Sequence, residues 1–472
     1  MNQNKKLWQW SAYDIAGAVK NRGITCQEAV HSSIARMNEI NPELNAVVID
    51  LSEQAVDQAK KADHMLQSGD DLGLLHGVPI TIKINVDVKG QPNSNGVKAM
   101  AGIIAPDDAP VVANLKKAGA IIIGMTNTPE FSMRIMTDNP LYGLTKNPWH
   151  KDFTCGGSSG GAASSIAAGI GHIAHGNDIG GSLRMPALCC GVPAIRPTFG
   201  RIPTYNPSQL DDRPLAAQLF SVQGPIAREV KDLRLGLAVM AKQDFHDPWW
   251  VPAPLEGPSL VEPIKVAVTR APAGTSPQPA IAKAIDKAAQ YLADAGYEVH
   301  EIDAPFSEEL SELWKSLIFS EMRQLLGQPI EDYGSDAFHI FLDDCYKATQ
   351  FLDKEGYMRS LIKRTRILRE WLLFLEKYPL VLAPLTLKPS FKVDEDIQGG
   401  SKILELISAL EPSFSINALG LPSAAVPIAL HQGVPHGVQI IGQRFREDIC
   451  LNAAETIEKQ VGILSQQLWD KE

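Results

Sequence analysis

Hydrophobic residues recur at helical spacing over the first 66 residues, and polar residues mark where two of the helices begin. Ser11-x-x-Asp14 and Thr25-x-x-Glu28 have the capping-box form, in which a hydroxyl residue caps a helix and an acid follows three positions later. An apolar run at 46–49 interrupts this pattern, and helical spacing then resumes to about Leu66. The pattern predicts two capped helices, a short strand and a third helix.

Further along, the pattern becomes typical of strands that alternate with helices. In residues 77–84, GVPITIKI, the isoleucines fall on one side while Thr81 and Lys83 fall on the other. A second strand is predicted at 119–124, and a strand–helix–strand unit at 264–302 with its helix beginning at Pro279. Residues 307–376 have a mostly helical pattern with core-like aromatic residues. This alternation predicts an α/β fold with helices on both faces of a sheet.

Composition and charge exclude several classes of protein. The 472 residues are 44% hydrophobic and 21% charged, as in ordinary globular proteins, and the formal net charge is −10. Without a basic block, direct nucleic-acid binding is not expected. No apolar run is long enough to cross a membrane, and the N-terminus lacks the apolar run of a signal peptide. Six cysteines without C-x-x-C spacing fit a reducing compartment. We therefore expect a cytoplasmic protein.

The segment TCGGSSGGAASSIAAG, residues 154–169, is the first candidate for chemistry. A flexible linker is excluded, because residues 156–182 contain nine glycines but only one charged residue, Asp178, which indicates burial. A phosphate-binding loop is also excluded. The nearest match, GAIIIGMT at 119–126, has Met125 where the motif requires lysine, and its middle is a strand. A turn that presents a serine remains.

Two serines compete for the role of nucleophile. Ser158 lies in a literal G-x-S-x-G motif, which in an α/β-hydrolase would require a downstream histidine such as His431 or His436. Ser182 instead follows two glycines, whose backbone N–H groups can form a concave site for an oxyanion. No histidine motif supports either serine, so a Ser–Lys arrangement is the alternative.

Several separated blocks together resemble the amidase signature family. The strongest are GGSSGG and GNDIGGSLRMPALCCGVPAIRPTFGR, supported by GVPITIKINVDVKG, GMTNTPEF, NPLYGLTKNPW, GPIAR and NALGLPSAAVP…HGVQIIGQRFRED. They span about residues 75–448 in the family's order and spacing. The resemblance implies one large α/β domain of 1–472 with a central mixed β-sheet covered by helices on both faces. It implies an N-terminal helical segment (about 1–70), a core (about 71–230 and 410–460) and a variable substrate-pocket region (about 231–410).

The resemblance also implies the roles of the site residues. Lys83 corresponds to the family's catalytic lysine, Ser158 to its serine in a cis peptide, and Ser182 to its nucleophile. The backbone N–H groups of residues 179–182 correspond to an oxyanion hole, and four further residues support the site. The implied oxyanion-hole residues are Ile179, Gly180, Gly181 and Ser182, and the supporting residues are Gly157, Ser159, Asp178 and Arg184. No metal and no cofactor are implied.

A lysine acts as a base only when it is neutral. Since its ordinary pKa is near 10.4, the pKa of Lys83 must fall by about three for work near neutral pH, which burial without a carboxylate partner can supply. Ile84 stands where the family usually has aspartate, which favours a neutral Lys83. The strand pattern alone would instead favour a lysine on an edge strand that reaches solvent. The resemblance favours burial.

Other departures from the family pattern avoid the three implied catalytic positions. Asn177 stands where threonine or serine is usual, Cys155 where proline is usual and Met125 where lysine is usual, and PNSNG at 92–96 also differs. His172 and His175 lie near Asp178 but lack a third spaced ligand, so packing or local hydrogen bonds are expected rather than zinc binding. The departures from the family pattern leave the substrate subgroup open.

The resemblance implies an amidohydrolase that cleaves a small carboxamide, or a related carbamate or urea-type bond, through a serine acyl-enzyme. One alternative is the glutaminase subunit of a tRNA-dependent amidotransferase, against which Met185 counts because glutamine is expected there. Others are an α/β-hydrolase-type esterase that uses Ser158 and a non-catalytic binding protein. The expected partner is a small amide substrate, with neither nucleic acid nor membrane. The oligomeric state, a homodimer among the alternatives, stays open.

Overall fold

A computed structural model describes residues 5–70 and 72–470 of the chain. Its α-helices, in chain order, are α1 (Ala12–Lys20), α2 (Cys26–Leu44), α3 (Ser52–Ser68), α4 (Pro110–Lys117), α5 (Gly160–Ala167), α6 (Arg184–Cys190), α7 (Leu215–Phe220), α8 (Val230–Met240), α9 (Pro279–Asp294), α10 (Glu308–Glu321), α11 (Gly327–Tyr333), α12 (Asp336–Lys347), α13 (Lys354–Lys377), α14 (Ser401–Leu419), α15 (Glu447–Val461) and α16 (Gln466–Trp469). Short 3₁₀ turns lie at Leu7–Gln9, Lys98–Met100, Glu130–Ser132, Pro272–Gly274 and Glu395–Ile397, and a π-helical turn lies at Met322–Leu326.

The strands are β1 (Val47–Asp50), β2 (Pro79–Lys83), β3 (Ile121–Thr126), β4 (Ile173–Asp178), β5 (Ala194–Arg196), β6 (Val222–Ala227), β7 (Lys265–Val268), β8 (Glu298–Glu301), β9 (Leu380–Ala383), β10 (Ser423–His431) and β11 (Val434–Gly442). They form one 11-stranded sheet in the order β1-β3-β2-β4-β6-β5-β10-β11-β9-β7-β8. The sheet is mixed, because β2 pairs in parallel with β3 and β4, β7 pairs in parallel with β8 and β9, and the other pairs are antiparallel.

The predicted helix starts are confirmed. Ser11 Oγ accepts a hydrogen bond from the Asp14 amide at 3.0 Å, which caps α1. At α2, Thr25 Oγ1 accepts from the Glu28 amide at 3.1 Å, and Glu28 Oε2 accepts from the Thr25 amide at 2.7 Å. Each bond satisfies a backbone donor that the first turn of a helix leaves unpaired. The predicted strand and third helix that follow are β1 and α3.

Helices cover both faces of the sheet, as predicted. Successive residues of a strand point to opposite faces. On β10, Ala424 belongs to one large apolar cluster and Ala425 to another, and on β11 Ile440 and Ile441 divide in the same way. The first cluster includes residues of α9 and α15, and the second includes residues of α10 and α14. The chain is therefore a single α/β domain.

The other predicted elements are also found. The strand predicted at 119–124 is β3, and the unit predicted at 264–302 is β7–α9–β8, whose two strands run parallel. Helices α10 to α13 account for most of residues 307–376, and Trp314 and Trp371 lie in the core. Within the two described ranges, no helix is both long enough and apolar enough to cross a membrane.

Lys83 corrects one expectation drawn from the strand pattern. Alternation alone places this lysine on an edge strand with its amine in solvent. In the structure β2 lies between β3 and β4, and Lys83 is fully buried, with 0% relative exposure. The pattern misled because neighbouring strands and the helical layers enclose both faces of β2, and all five of its residues are buried.

Candidate active site

Lys83 lies at one edge of the sheet, where three neighbouring parallel strands end. It is the last residue of β2, and β2 runs parallel to both β3 and β4, so the carboxyl ends of all three strands meet there. The Lys83 Nζ lies 2.8 Å from Ser158 Oγ, 3.1 Å from Ser159 Oγ and 2.7 Å from Asn177 Oδ1. The sheet thus brings together residues that are 75 or more positions apart in the chain.

Burial dominates the electrostatics of Lys83. Removal from water disfavours the ammonium form and lowers the pKa of Lys83 well below its usual value, while the negative charge of Asp178 opposes the shift. The lysine makes no ion pair in the described residues, and its amine contacts are hydroxyl and amide groups. Burial therefore shifts Lys83 towards the neutral form that base catalysis requires.

Ser158 and Ser159 immediately precede α5. The Gly157–Ser158 peptide bond is cis, as the resemblance implies. Glycine is required beside it, because a Cβ on Gly157 would press on the backbone of residues 134–136. The Ser159 amide donates to the carbonyl oxygen of Ser182 at 3.2 Å, which joins this segment to the second serine-containing loop.

Ser182 lies in the loop between β4 and α6. Its side chain is half-buried, whereas Ser158 has only 2% relative exposure, so Ser182 is the more accessible of the two. Within the described residues Ser182 Oγ makes no hydrogen bond, which leaves this hydroxyl free to meet a substrate. The structure therefore brings Lys83 and Ser158 into direct contact and joins the loop of Ser182, the more exposed serine, to the Ser158–Ser159 segment.

Asp178 organises the loop that carries Ser182. Its carboxylate accepts hydrogen bonds from the Gly181 amide at 2.8 Å and the Leu183 amide at 3.2 Å. Arg184 Nε binds the same carboxylate at 3.0 Å, and Arg196 Nε lies 3.8 Å away. Burial alone would raise the pKa of Asp178, but the two guanidinium groups hold it well below its usual range. This carboxylate is ionised and fixes the loop on both sides of Ser182.

The four backbone N–H groups predicted to form an oxyanion hole differ in whether they already have a hydrogen-bond acceptor. The Gly181 N–H has one, because it donates to Asp178. Among the described residues, no hydrogen bond uses the N–H groups of Ile179, Gly180 or Ser182. Three of the four predicted donors are thus unpaired beside the Ser182 hydroxyl, a suitable arrangement for a developing negative charge.

Two side chains from distant helices hold the peptide planes of this loop. Trp314 Nε1, on α10, donates to the Ile179 carbonyl oxygen at 2.7 Å, and its ring stacks on Phe414 with centroids 4.2 Å apart. Ser413 Oγ, on α14, donates to the Gly180 carbonyl oxygen at 3.0 Å. Because C=O and N–H of one peptide point in opposite directions, these bonds also fix where the N–H groups of residues 180 and 181 point.

The histidines that sequence reasoning considered have other roles. His172 Nδ1 lies 2.9 Å from Arg228 Nη2, and His175 Nε2 lies 2.8 Å from Gln223 Oε1, so the expected local hydrogen bonds are confirmed. His431 and His436 lie together on the β10–β11 hairpin, with ring centroids 6.2 Å apart. The side-chain partner of Ser158 is Lys83, not a histidine, which leaves the G-x-S-x-G hypothesis without its base.

Sequence reasoning missed a chain of amides behind the lysine. Asn177 Nδ2 donates to Asn85 Oδ1 at 2.9 Å, and Asn85 Nδ2 donates to Ser132 Oγ at 2.9 Å. Thr128 Oγ1 lies 2.8 Å from Ser132 Oγ and donates to the Ser158 carbonyl oxygen at 3.0 Å. The signal that could have revealed it was the unusual asparagine at 177 beside the loop of Ser182.

An apolar wall adjoins this polar site. We use this name for four half-buried apolar residues that pack against the second of the two large apolar clusters, the one that includes residues of α10 and α14, namely Phe131, Met133, Ile135 and Ile179. Ile179 belongs to the Ser182 loop itself, while Ser132, between two members of the wall, contacts the amide chain behind Lys83. The wall therefore consists of half-buried apolar residues in two segments that contact the site, the loop of Ser182 and the segment around Ser132.

The charged residues that flank the wall in the sequence, Glu130 and Arg134, already have partners. Glu130 accepts hydrogen bonds from the backbone N–H of Ser335, at 3.0 Å, and from its hydroxyl. Arg134 donates two hydrogen bonds to Asp396, at 3.0 and 2.8 Å. Because Glu130 and Arg134 are bonded to Ser335 and Asp396, neither is free to pair with a charged group of a ligand. The arrangement suits a neutral, apolar acyl group.

Comparison with known proteins gives consistent matches. The sequence model of the amidase family matches residues 28–451. An indoleacetamide hydrolase of Bradyrhizobium diazoefficiens is 50% identical over 465 residues, which cover 98% of this chain and 89% of that protein. A glutamyl-tRNA(Gln) amidotransferase subunit of Moorella thermoacetica is 29% identical over 483 residues, covering 96% and 97%. A solved bacterial aryl acylamidase of the amidase signature family has a TM-score of 0.82 at 29% identity, covering 98% of each chain.

Proposed function

The chain belongs to the amidase signature family and hydrolyses an amide C–N bond, and from this premise we propose that its substrate is a primary arylacetamide of the indole-3-acetamide type. The observation that carries the proposal is the 50% identity to an indoleacetamide hydrolase over 98% of the chain. The apolar wall supports it, because transfer of an indole ring from water to an apolar surface is favourable.

Glutamine, the substrate class of the amidotransferase alternative, fits this site less well. Its free ammonium and carboxylate groups would need charged partners, whereas Glu130 and Arg134 are already bonded to Ser335 and Asp396. The amidotransferase subunit of Moorella thermoacetica is also the more distant relative, at 29% identity. Both observations favour a neutral aryl substrate.

The reaction begins with a proton relay through three side chains. Neutral Lys83 takes the hydroxyl proton of Ser158, and Ser158 Oγ takes the proton of Ser182 as Ser182 Oγ bonds to the amide carbon. The C=O bond electrons move to oxygen, and the N–H groups of Ile179, Gly180 and Ser182 stabilise that oxyanion.

Collapse of this intermediate breaks the C–N bond. The Ser158 and Lys83 pair returns a proton to the leaving nitrogen, so that ammonia departs and the acyl group remains on Ser182. Water then loses a proton to the same relay and attacks the ester carbon, and Ser182 regains its proton as the carboxylic acid leaves. Each step uses only the side chains named and water.

Substrate preference tests the proposal. The purified chain is assayed for ammonia and acid release with indole-3-acetamide, phenylacetamide, hexanamide and L-glutamine, with the Ser182→Ala variant as the blank. We expect kcat/KM for indole-3-acetamide to exceed that for glutamine by about 100-fold or more, since Glu130 and Arg134 already have partners and would leave the charges of glutamine unpaired. A preference for glutamine, or no ammonia from either arylacetamide, contradicts the proposal.

Trp314→Phe tests the support of the oxyanion hole. The change removes the indole N–H that holds the Ile179 carbonyl oxygen at 2.7 Å but keeps an aromatic ring against Phe414. The Gly180 N–H then loses its fixed direction, so we expect kcat to fall about tenfold, within the range of one hydrogen bond, with little change in KM. Steady-state kinetics with the best amide measures both values.

Trp371→Phe is the matched control. Its indole N–H also binds a backbone carbonyl, that of Pro305 at 2.9 Å, and its ring is fully buried on α13. This variant loses the same kind of hydrogen bond away from the Ser182 loop, so kcat of the folded protein stays near the parent value. Equal losses of kcat in both variants would show that Trp314 acts only through general stability.

A further inference from the structure

The Lys83 amine has three hydrogen-bond neighbours among the described residues, and its neutral form has a single lone pair, so it can accept a proton from one of them. Asn177 Oδ1 is a carbonyl oxygen and can only accept, so the 2.7 Å contact requires that Lys83 donates an N–H to it. The two serine hydroxyls can each donate or accept. Their other hydrogen bonds decide which.

Ser159 uses its proton elsewhere. Its hydroxyl donates to the backbone carbonyl oxygen of Asn177 at 3.2 Å, so towards Lys83, 3.1 Å away, Ser159 Oγ acts as an acceptor. The backbone N–H of Asn177 also donates to Ser159 Oγ, at 3.4 Å, and so occupies a second acceptor position of the same oxygen. Ser159 therefore receives the second N–H of Lys83.

A neutral lysine amine has two N–H groups and one lone pair. With the N–H groups directed to Asn177 and Ser159, the lone pair is left for the third neighbour, Ser158 Oγ, at 2.8 Å. From this geometry we propose that Asn177 is a positioning residue that aims the lone pair of Lys83 at the Ser158 hydroxyl. This inference rests on the proposed function, because it assigns a task within its proton relay.

The orientation of Asn177 is itself fixed. Its side-chain NH₂ group donates to Asn85 Oδ1 at 2.9 Å, and the NH₂ group of Asn85 donates to Ser132 Oγ at 2.9 Å. Rotating the Asn177 amide by 180° would bring its NH₂ group against Lys83 and its oxygen against Asn85 Oδ1, losing two hydrogen bonds. Asn85 thus holds the Asn177 oxygen towards the lysine.

A neutral acceptor suits this position better than a carboxylate. An anion in contact with Lys83 would stabilise the ammonium form and oppose the effect of burial. The charged and titratable groups that face Lys83 are Asp178, whose charge is held by Arg184 and Arg196, and His175 on β4. Asparagine supplies direction without adding a charge to this set.

Two variants separate the two contributions of Asn177, which are an acceptor that directs the Lys83 lone pair and the absence of a negative charge beside it. They are Asn177→Asp and Asn177→Leu. The aspartate keeps an acceptor but adds a charge, so the pKa of Lys83 rises, and activity requires a higher pH. We expect the acid limb of the pH profile to move up by about one pH unit or more, with reaction at pH 7 slowed about tenfold. The leucine removes the acceptor, so we expect kcat to fall tenfold or more while KM stays within threefold.

The rate of labelling of Ser182 by a fluorophosphonate, measured from pH 5 to 10, is the main readout, with amide kinetics beside it. Asn114→Asp is the control, because Asn114 is likewise half-buried but lies on α4, where it donates to the carbonyl oxygen of Lys242 at 2.7 Å. Its pH profile should match that of the parent. Circular dichroism confirms that each variant is folded, and if Asn177→Asp is not, the kcat of Asn177→Leu decides.

An unchanged acid limb in folded Asn177→Asp, or a parent-like kcat in Asn177→Leu, overturns the inference. Because the labelling reaction needs no amide substrate, failure of the substrate proposal can be recognised separately. A protein that is labelled on Ser182 with a shifted limb in Asn177→Asp, but does not hydrolyse indole-3-acetamide, supports the role of Asn177 and contradicts only the proposed substrate.

Discussion

Replacing Ser182 with alanine is expected to lower kcat for amide hydrolysis by about 10⁴-fold or more, because no acyl-enzyme can then form. Ser182 is the half-buried serine beside the unpaired N–H groups, and its Oγ has no hydrogen bond in the described residues. Substrate binding should be largely retained, since the change removes a single oxygen. Steady-state kinetics and single-turnover trapping of the acyl-enzyme measure the two effects.

Chemical labelling distinguishes this mechanism from attack by Ser158. A fluorophosphonate should modify Ser182 in the parent, and peptide mapping by mass spectrometry identifies the modified residue. Ser158→Ala should slow both labelling and turnover, because it interrupts the relay from Lys83, but the residual label should remain on Ser182. Ser165→Ala is the control, since Ser165 is buried on α5 and its hydroxyl donates to the Ala162 carbonyl oxygen of the same helix at 2.9 Å.

Label on Ser158, with Ser182→Ala still active, would contradict the relay and restore the G-x-S-x-G hypothesis. That hypothesis would then need a base other than His431 or His436, because the structure pairs Ser158 Oγ with Lys83 at 2.8 Å. The experiment therefore tests which serine is the nucleophile and which one transfers the proton, and not only whether both are needed for activity.

Local signals in the sequence were sufficient to predict most of the architecture. The capping residues Ser11 and Thr25 fix where α1 and α2 begin, because each satisfies a backbone donor through neighbouring atoms alone. The alternation of strands and helices likewise predicted an α/β sheet covered on both faces. Strand order depends on contacts between distant segments and could not be derived from such signals.

The same limit applies to the site. Ser158 and Ser182 were candidates from the sequence itself, but the choice between them and the role of Lys83 came only from the resemblance, since alternation alone predicted that Lys83 reaches solvent. The structure buries it because β3 and β4 flank β2, a fact about the whole sheet. The hydrogen bonds by which distant helices hold the Ser182 loop could not be predicted from the sequence either. Trp314 binds the carbonyl of Ile179 across 135 residues, and nothing local to either residue indicates this contact.

Asp178→Asn is expected to destabilise the protein by about 3–5 kcal/mol, the range for breaking a buried ion pair. The substitution leaves the fully buried guanidinium groups of Arg184 and Arg196 without their carboxylate. It also weakens the hydrogen bond from the Gly181 amide, which shapes the loop of Ser182. We therefore expect kcat of the remaining folded protein to fall as well.

Glu447→Gln separates these two effects, because Glu447 forms an equally buried pair with Arg201, at 2.8 Å, in another part of the fold. Unfolding in urea at constant pH should show a large loss of stability in both variants. Only Asp178→Asn should also lower kcat per folded molecule, because only Asp178 holds the nucleophile loop. If Asp178→Asn retained parent kinetics once corrected for the folded fraction, the carboxylate would serve stability alone, and the glycine-rich sequence around Ser182 would suffice to place the oxyanion donors.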